Sequence, residues 1–167
     1  RDLVEFAPPE DHIIIADYNL AGARALARSL RNIRPVKAVF ADVANPEACG
    51  RSFKGAFAIV NSVLYQFNLM AMEIALKAHA HYLDLGGLFH MTRRQLKLDA
   101  RFKANRCLAI LGMGAAPGIT NLLAWKASRL MDRVSRVDIL VASLDKTRYE
   151  WAQALPVSYS LKTILEE

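Results

Sequence analysis

Apolar and polar positions follow two different periods along the chain, and together they predict an α/β fold. Short continuous apolar runs, typical of strands buried on both faces, occur at residues 12–16, 36–41, 56–60, 81–85 and 107–111. Apolar residues recur at helical spacing in the segments 20–30, 46–53, 68–79, 92–104 and 117–130. Strands that alternate with amphipathic helices predict a doubly wound parallel sheet with helices on both faces.

Three further segments flank this pattern. Residues 1–6 are typical of the end of a helix, because Leu3 and Phe6 share a face and two prolines follow. Residues 134–142 begin with polar and apolar positions in alternation, which predicts a strand covered on one side. Residues 161–167 are predicted to form a short helix.

Composition limits the classes of function. The chain has 167 residues, 53% of them apolar, which is enough for one buried domain and too few for two full ones. Its net charge of +6 comes from Lys and Arg scattered along helix faces without interleaved aromatic residues. Because apolar runs also stay below membrane-spanning length, we expect neither a nucleic-acid nor a membrane partner.

Cysteine and histidine usage favours a cytoplasmic protein without a metal centre. The two cysteines, Cys49 and Cys107, lie far apart in the sequence and are predicted to be reduced thiols. His79 and His81 form an H-x-H pair, but His79 is expected to close a helix and no third ligand lies nearby.

Polar residues and a glycine-rich turn collect where the predicted strands end. They are Asp17, Tyr18, Asn19, Asp42, Asn61, Ser62, Val63, Asp84 and the turn at residues 112–118, with Val63 the apolar exception. In doubly wound sheets, ligands bind beyond the carboxyl ends of the strands. This edge of the sheet is therefore the predicted binding site.

The order of these residues suits a dinucleotide. Asp17 is placed to accept both hydroxyls of the adenosine ribose, with Tyr18 and Asn19 beside it. A carboxylate there repels a 2′-phosphate, which favours NAD over NADP, although Arg24 nearby weakens that preference. The alternative is that Asp17 only stabilises the start of the next helix, a role that Asn19 can also fill.

The next two strand ends are assigned to the rest of the cofactor. Asp42 and Val43 are expected near the adenine, unless Asp42 only forms a turn before Pro46. The residues expected to line the pyrophosphate and the nicotinamide ribose, or else to form an ordinary helix-start turn, are Asn61, Ser62 and Val63.

The turn at residues 112–118 has the pattern G-x-G-x-x-x-G. It resembles a dinucleotide fingerprint, but such a fingerprint usually opens its domain and is followed by an acidic strand end. At least four predicted strands precede this turn, and Asp138 lies inside the next one. A structural or substrate-side role is therefore favoured, and the free N–H groups where the following helix starts suit an anion.

Two longer stretches carry a family resemblance. They are AFAIVNSVLYQFNLMAMEIALKAHAHYLDLGG and LGMGAAPGITNLLA. Together they resemble the saccharopine dehydrogenase-like family, which includes the lysine 6-dehydrogenases. The resemblance implies a Rossmann domain at residues 1–133, the start of a substrate and dimerisation domain at 134–167, and NAD(P)-dependent oxidation of an amine-bearing carbon of an amino acid such as lysine.

The resemblance also implies that the sequence is truncated at both ends. Family members open with a strand and a glycine loop that have no counterpart here, and that strand is expected at the centre of the sheet. The chain by itself is therefore expected to be only marginally stable, to bind NAD poorly and to be inactive. The full protein is expected to be a cytoplasmic homodimer.

The family reaction needs a base for the substrate ammonium. Asp84 is the best-placed carboxylate, Tyr65 and Asn68 are placed to position substrate, and the helix start at Gly118 and Asn121 offers N–H groups to a carboxylate. The alternative for Asp84 is a carboxylate that stabilises the turn at Gly86. Ala116, where saccharopine-forming relatives often carry Asp, favours a simpler amino acid or amine. A non-catalytic nucleotide-binding module and a different reductase remain alternatives.

Overall fold

The computed structural model describes residues 2–50 and 52–142. In chain order its elements are α1 (Asp2–Phe6), β1 (Ile14–Asp17), α2 (Leu20–Leu30), β2 (Lys37–Phe40), α3 (Pro46–Cys49), β3 (Ala58–Asn61), a 3₁₀ turn (Tyr65–Phe67), α4 (Asn68–Ala78), β4 (His81–Asp84), α5 (Phe89–Leu96), α6 (Asp99–Ala104), β5 (Ala109–Ile110) and α7 (Ile119–Ser128). The predicted helix at residues 161–167 lies outside the described residues.

All described strands pair in parallel, in two sheets. β1 pairs with β2, and β4 lies between β3 and β5. Within the described residues β1 and β3 are not paired with each other.

One apolar cluster joins the two sheets. Its buried residues are Ala41, Cys49 and Ile74, and both Ala16 of β1 and Ile59 of β3 pack against it. Ala16 directly precedes the last residue of β1, and Ile59 lies two residues before the end of β3. The cluster therefore lies against both sheets, within two residues of the carboxyl ends of β1 and β3.

Helix α4 covers the three-stranded sheet. Its residues Ala71, Met72 and Ala75 pack with Tyr82 of β4 and Phe102 of α6. The small alanines let the helix approach the strands closely, and full burial of a side chain the size of Met stabilises the fold by about 1.5–3 kcal/mol.

Two sequence predictions of secondary structure are wrong. The segment 92–104 forms two helices, α5 and α6, instead of one, and Asp99 in the first turn of α6 complements the positive end of a new helix. Residues 134–142 form no strand, because a strand needs a hydrogen-bonded neighbour and none of the described residues supplies one.

The chain divides into two compact units, one at residues 1–113 and one that begins at Gly114. The boundary expected from the sequence lies later, between residues 133 and 134. The assignment of residues 1–133 and 134–167 to two domains stays a prediction. In the second unit, α7 begins at Ile119, not at Pro117, because Gly118 occupies the position before the first helical residue with a φ of 119°.

Candidate functional site

The end of β1 forms a local turn that leads into α2. The Asn19 N–H donates to Asp17 Oδ1 at 2.7 Å, and the Gly22 N–H donates to Asn19 Oδ1 at 3.0 Å. Asn19 therefore caps α2. Asp17 stays exposed, and the ring of Tyr18 lies 5.7 Å from that of Phe40. The turn role considered for Asp17 is present, and the carboxylate remains open to solvent.

The end of β2 repeats this arrangement. The Ala44 N–H donates to Asp42 Oδ1 at 3.0 Å, and Asn45 caps α3 through the Ala48 N–H. The Cys49 thiol lies 3.0 Å from the Asp42 carbonyl, and burial raises the pKa of this thiol. Asp42 and its neighbour Val43 are both half-buried.

The ends of β3 and β4 are joined by a buried network of polar side chains. Asn61 Nδ2 donates to Asn68 Oδ1 at 2.9 Å and to Tyr82 Oη at 3.0 Å. The Tyr82 hydroxyl in turn donates to Asp84 Oδ2 at 3.1 Å. Burial, and after it the charge of Asp84, raises the pKa of Tyr82. The phenol therefore keeps its proton and acts as a donor to the carboxylate.

Asp84 receives four hydrogen bonds, two at each oxygen. The N–H groups of Gly86 and Gly112 donate to Oδ1 at 2.9 and 2.8 Å. Tyr82 Oη and Gln95 Nε2 donate to Oδ2, the latter at 2.6 Å. The side chain is 1% exposed. Asp84 thus ties the end of β4 to the turn after β5 and to α5.

Tyr65 and Asn68 lie beside this network. Asn68 is buried, and its Nδ2 donates to the Gly86 carbonyl at 3.3 Å. The ring of Tyr65 is half-buried and meets that of His90 edge to face at 6.5 Å. A Cβ on Gly87 would lie 2.9 Å from the Cβ of Tyr65, so this turn needs glycine.

The N–H expected to bind a substrate anion at the start of α7 already has a partner within the chain. The Gly118 N–H donates to Asn121 Oδ1 at 3.2 Å. Gly118 is buried, whereas Asn121 is exposed.

The predicted site residues include a buried, connected group and an exposed group. Asn61, Asn68 and Asp84 form one connected group, but their side chains are engaged in the interior. These contacts match the turn-stabilising alternative for Asp84. The exposed members of the predicted cofactor site are Asp17, Tyr18, Asn19, Ser62 and Val63, and the predicted substrate contact Asn121 is exposed as well.

Sequence reasoning missed Tyr82 and Gln95. A signal existed for both: Tyr82 lies two residues before Asp84 and so on the same side of β4, and Gln95 lies one turn after buried Met91 on α5. A buried amide on an otherwise apolar helix face indicates a polar partner.

Two classes of site find no support in the described residues. Within residues 2–50 and 52–142, no group of three His, Cys, Asp or Glu side chains is arranged to hold a metal ion. In the same part of the chain, no helix has both the length and the apolar character needed to cross a membrane.

Comparison with known proteins decides the family. Residues 2–110 match the family model described as saccharopine dehydrogenase NADP binding domain. The chain belongs to this family. The match confirms the resemblance, and together with the parallel sheets it confirms the Rossmann-type α/β fold.

A solved structure supports the same fold. It is an apo histidine-tagged saccharopine dehydrogenase (L-Glu forming) from Saccharomyces cerevisiae, with a TM-score of 0.64 and 20% sequence identity. The similarity covers 74% of this chain and 26% of that one, so this chain spans about a quarter of the yeast enzyme.

The family match bears directly on the cofactor. A nicotinamide dinucleotide is confirmed as the cofactor class, and the family description names NADP. The preference for NAD, which was based on Asp17, is not confirmed.

Proposed function

We propose that this chain is the cofactor-binding part of an NAD(P)-dependent dehydrogenase that oxidises the amine-bearing carbon of a small amino acid or amine, with lysine as the first substrate to examine. The observation that carries the proposal is the exposure of polar groups at carboxyl ends of parallel strands in a chain of this family: Asp17 ends β1, and the loop Ser62–Val63 follows β3. The carboxyl edge of such a sheet is where dinucleotides bind.

The residues at this edge fit the parts of a dinucleotide. Asp17 offers an exposed carboxylate to the adenosine ribose, with Tyr18 and Asn19 beside it. The half-buried pair Asp42 and Val43 would flank the adenine. When bound, the cofactor supplies hydride transfer.

The loop after β3 would hold the pyrophosphate and the nicotinamide ribose. Ser62 and Val63 are exposed and would contribute backbone N–H groups and a hydroxyl. Asn61 would act by holding this loop, because its side chain is engaged with Asn68 and Tyr82.

The choice between the two cofactors depends on Asp17. A carboxylate beside the ribose repels a 2′-phosphate, which supports NAD, whereas the family description supports NADP. Arg24 is exposed on the first turns of α2 and offers a cation to that phosphate. We therefore propose that both cofactors bind and that Asp17 lowers the affinity for NADP.

Catalytic and substrate roles stay proposals. The proposed catalytic residues are Asp84 and Tyr65, and the proposed substrate contacts are Asn68, Gly118 and Asn121. Each of these residues has the interior or local contacts described above. Those contacts give weight to a second candidate, a non-catalytic nucleotide-binding module. A homodimer in the cytoplasm completes the proposal for the full protein.

The experiment is a fluorescence titration of the full-length protein with NADH and with NADPH. Replacing Asp17 by Ala removes charge-assisted hydrogen bonds to the ribose and should weaken NADH binding about tenfold or more, while NADPH binding is retained or improved. Asp11→Ala is the matched control, because Asp11 is an exposed carboxylate before β1. Absence of binding for both cofactors would overturn the proposal. Turnover with lysine and other amines separates the enzyme from the non-catalytic module.

A further inference from the structure

A single chain of buried hydrogen bonds runs from helix α5 to the loop after β3. Gln95 Nε2 donates to Asp84 Oδ2, and the Tyr82 hydroxyl donates to the same oxygen. Asn61 donates to Tyr82 Oη, and Asn61 Oδ1 accepts the Val63 N–H at 3.4 Å. A helix residue is thereby connected to the exposed loop proposed to hold the cofactor.

A second branch of the network reaches the turn after β5. Asp84 Oδ1 accepts the Gly112 N–H at 2.8 Å, and the Asp84 carbonyl accepts the Met113 N–H at 2.8 Å. Asp84 is thus bonded through its side chain and its backbone to two consecutive residues of this turn. Met113 is 37% exposed, so this branch also ends at the surface.

Three members of this network are almost completely buried, and Gln95 itself is not placed to contact a ligand. Gln95, Tyr82 and Asp84 are each 1% exposed, whereas Val63 is 43% exposed. Any effect of Gln95 on a bound molecule must therefore pass through its hydrogen bonds.

Asp84 is the stronger of two acceptors that orient the Gln95 amide, because Nε2 also donates to Met72 Sδ, a weak acceptor, at 3.5 Å. Within the described residues, Gln95 Oε1 is buried and has no hydrogen-bond partner, while Nε2 lies 2.6 Å from the carboxylate. The reversed amide would place an oxygen against the carboxylate and would lose that bond. A buried polar group with one unsatisfied atom costs stability, and an apolar side chain of similar size would avoid this cost. The hydrogen bond to Asp84 is therefore what Gln95 supplies and an apolar side chain could not.

We propose that Gln95 is a positioning residue for the cofactor site. Acting through Asp84, Tyr82 and Asn61, it fixes the loop Ser62–Val63 and the turn Gly112–Met113. The inference rests on the proposed function, because it assigns a remote determinant to that cofactor site. Loss of any link in the chain lets both loops move and weakens cofactor binding without removing a ligand contact.

The test uses the full-length protein and two single variants. Gln95→Leu removes the amide at similar volume, and Tyr82→Phe removes one oxygen while keeping the packed ring. Each should weaken NAD(P)H binding about fivefold to thirtyfold, the loss expected when a buried hydrogen bond that organises a site is removed. In the double variant the two losses should not multiply, because both substitutions interrupt the same chain.

Two controls separate positioning from general loss of stability. Leu30→Ala removes a buried side chain at the end of α2, outside the apolar cluster that contains Tyr82, and should lower the melting temperature without touching the network. Its cofactor affinity should match that of the unsubstituted protein. Leu96→Gln places an amide at the exposed neighbouring position of α5 and should change nothing.

Amide hydrogen exchange gives the local readout. In Gln95→Leu and Tyr82→Phe, exchange at Val63 and Gly112 should accelerate while β1 and α2 keep their protection. If both variants bind cofactor like the unsubstituted protein, the inference fails and the proposed function stands. An equal loss of affinity in Leu30→Ala also overturns the inference. If the unsubstituted protein binds no nicotinamide cofactor, both the proposed function and the inference fail.

Discussion

Replacement of Asp84 tests the buried network most severely. Alanine at this position would leave four donors without their acceptor: Gly86 N–H, Gly112 N–H, the Tyr82 hydroxyl and Gln95 Nε2. A buried donor left unsatisfied costs about 1–3 kcal/mol. With water reaching part of the gap, we take the lower value for each donor and expect Asp84→Ala to lower the free energy of unfolding by about 4 kcal/mol.

Asparagine should be far better tolerated, because the donors divide evenly between the two oxygens of Asp84. In Asp84→Asn the amide oxygen would keep the bonds from Gly86 and Gly112, and the amide nitrogen would replace the oxygen that faces Tyr82 and Gln95. The tyrosine hydroxyl can accept, and rotation of the Gln95 amide would give its unpartnered Oε1 a donor. We expect Asp84→Asn to cost about 1 kcal/mol.

The assay is urea unfolding of the full-length protein followed by circular dichroism, with Asp11→Ala as the exposed-carboxylate control. The reasoning is refuted if Asp84→Ala costs less than Asp84→Asn, or if the two variants are equally destabilised. Turnover measured on the same variants tests the proposed role of Asp84 as a base. A base would be lost equally in Asp84→Asn and Asp84→Ala, whereas the structural role of accepting hydrogen bonds would be lost only in Asp84→Ala.

Sequence predicted those parts of this protein that depend on near neighbours. β4 and α4 lie within a residue of their predicted limits, because apolar runs and periodic faces define them locally. The cap formed by Asn19 was equally accessible, since its side chain bonds a backbone N–H three residues ahead.

The interior network was beyond sequence reasoning for the opposite reason. Gln95 meets Asp84 from eleven residues away and Asp84 meets Gly112 from twenty-eight, so only the packing of α5 and β5 against β4 creates these bonds. For the same reason a carboxylate at a strand end was predicted to be a base, although its surroundings in the fold supply four donors.

Two further predictions concern the same edge of the fold. Gly87→Ala should lower the free energy of unfolding by about 1–3 kcal/mol, because the new Cβ would lie 2.9 Å from the Cβ of Tyr65. Gly50→Ala is the control and should be close to neutral, because Gly50 has room for a Cβ and an ordinary helical φ of −54°. Urea unfolding compares the two variants, and equal effects would contradict the close approach at Gly87. The pKa of Tyr82 is raised in the folded protein, so the unfolded chain loses the phenol proton first as the pH rises. The contribution of Tyr82 to the free energy of unfolding is therefore complete below a pH of about 10 and falls as the pH rises above it. Unfolding curves at neutral and alkaline pH should show a larger alkaline loss of stability for the unsubstituted protein than for Tyr82→Phe, and the same loss in both would refute this assignment.

A crystal structure of the full-length protein with NADPH or NADH bound would show directly whether the cofactor occupies this edge of the fold. We predict a dinucleotide across the carboxyl ends of β1, β2 and β3, with the Asp17 carboxylate within hydrogen-bond distance of the adenosine ribose and the loop Ser62–Val63 against the pyrophosphate. A dinucleotide bound away from this edge, or one at this edge that contacts neither Asp17 nor the loop after β3, would contradict it.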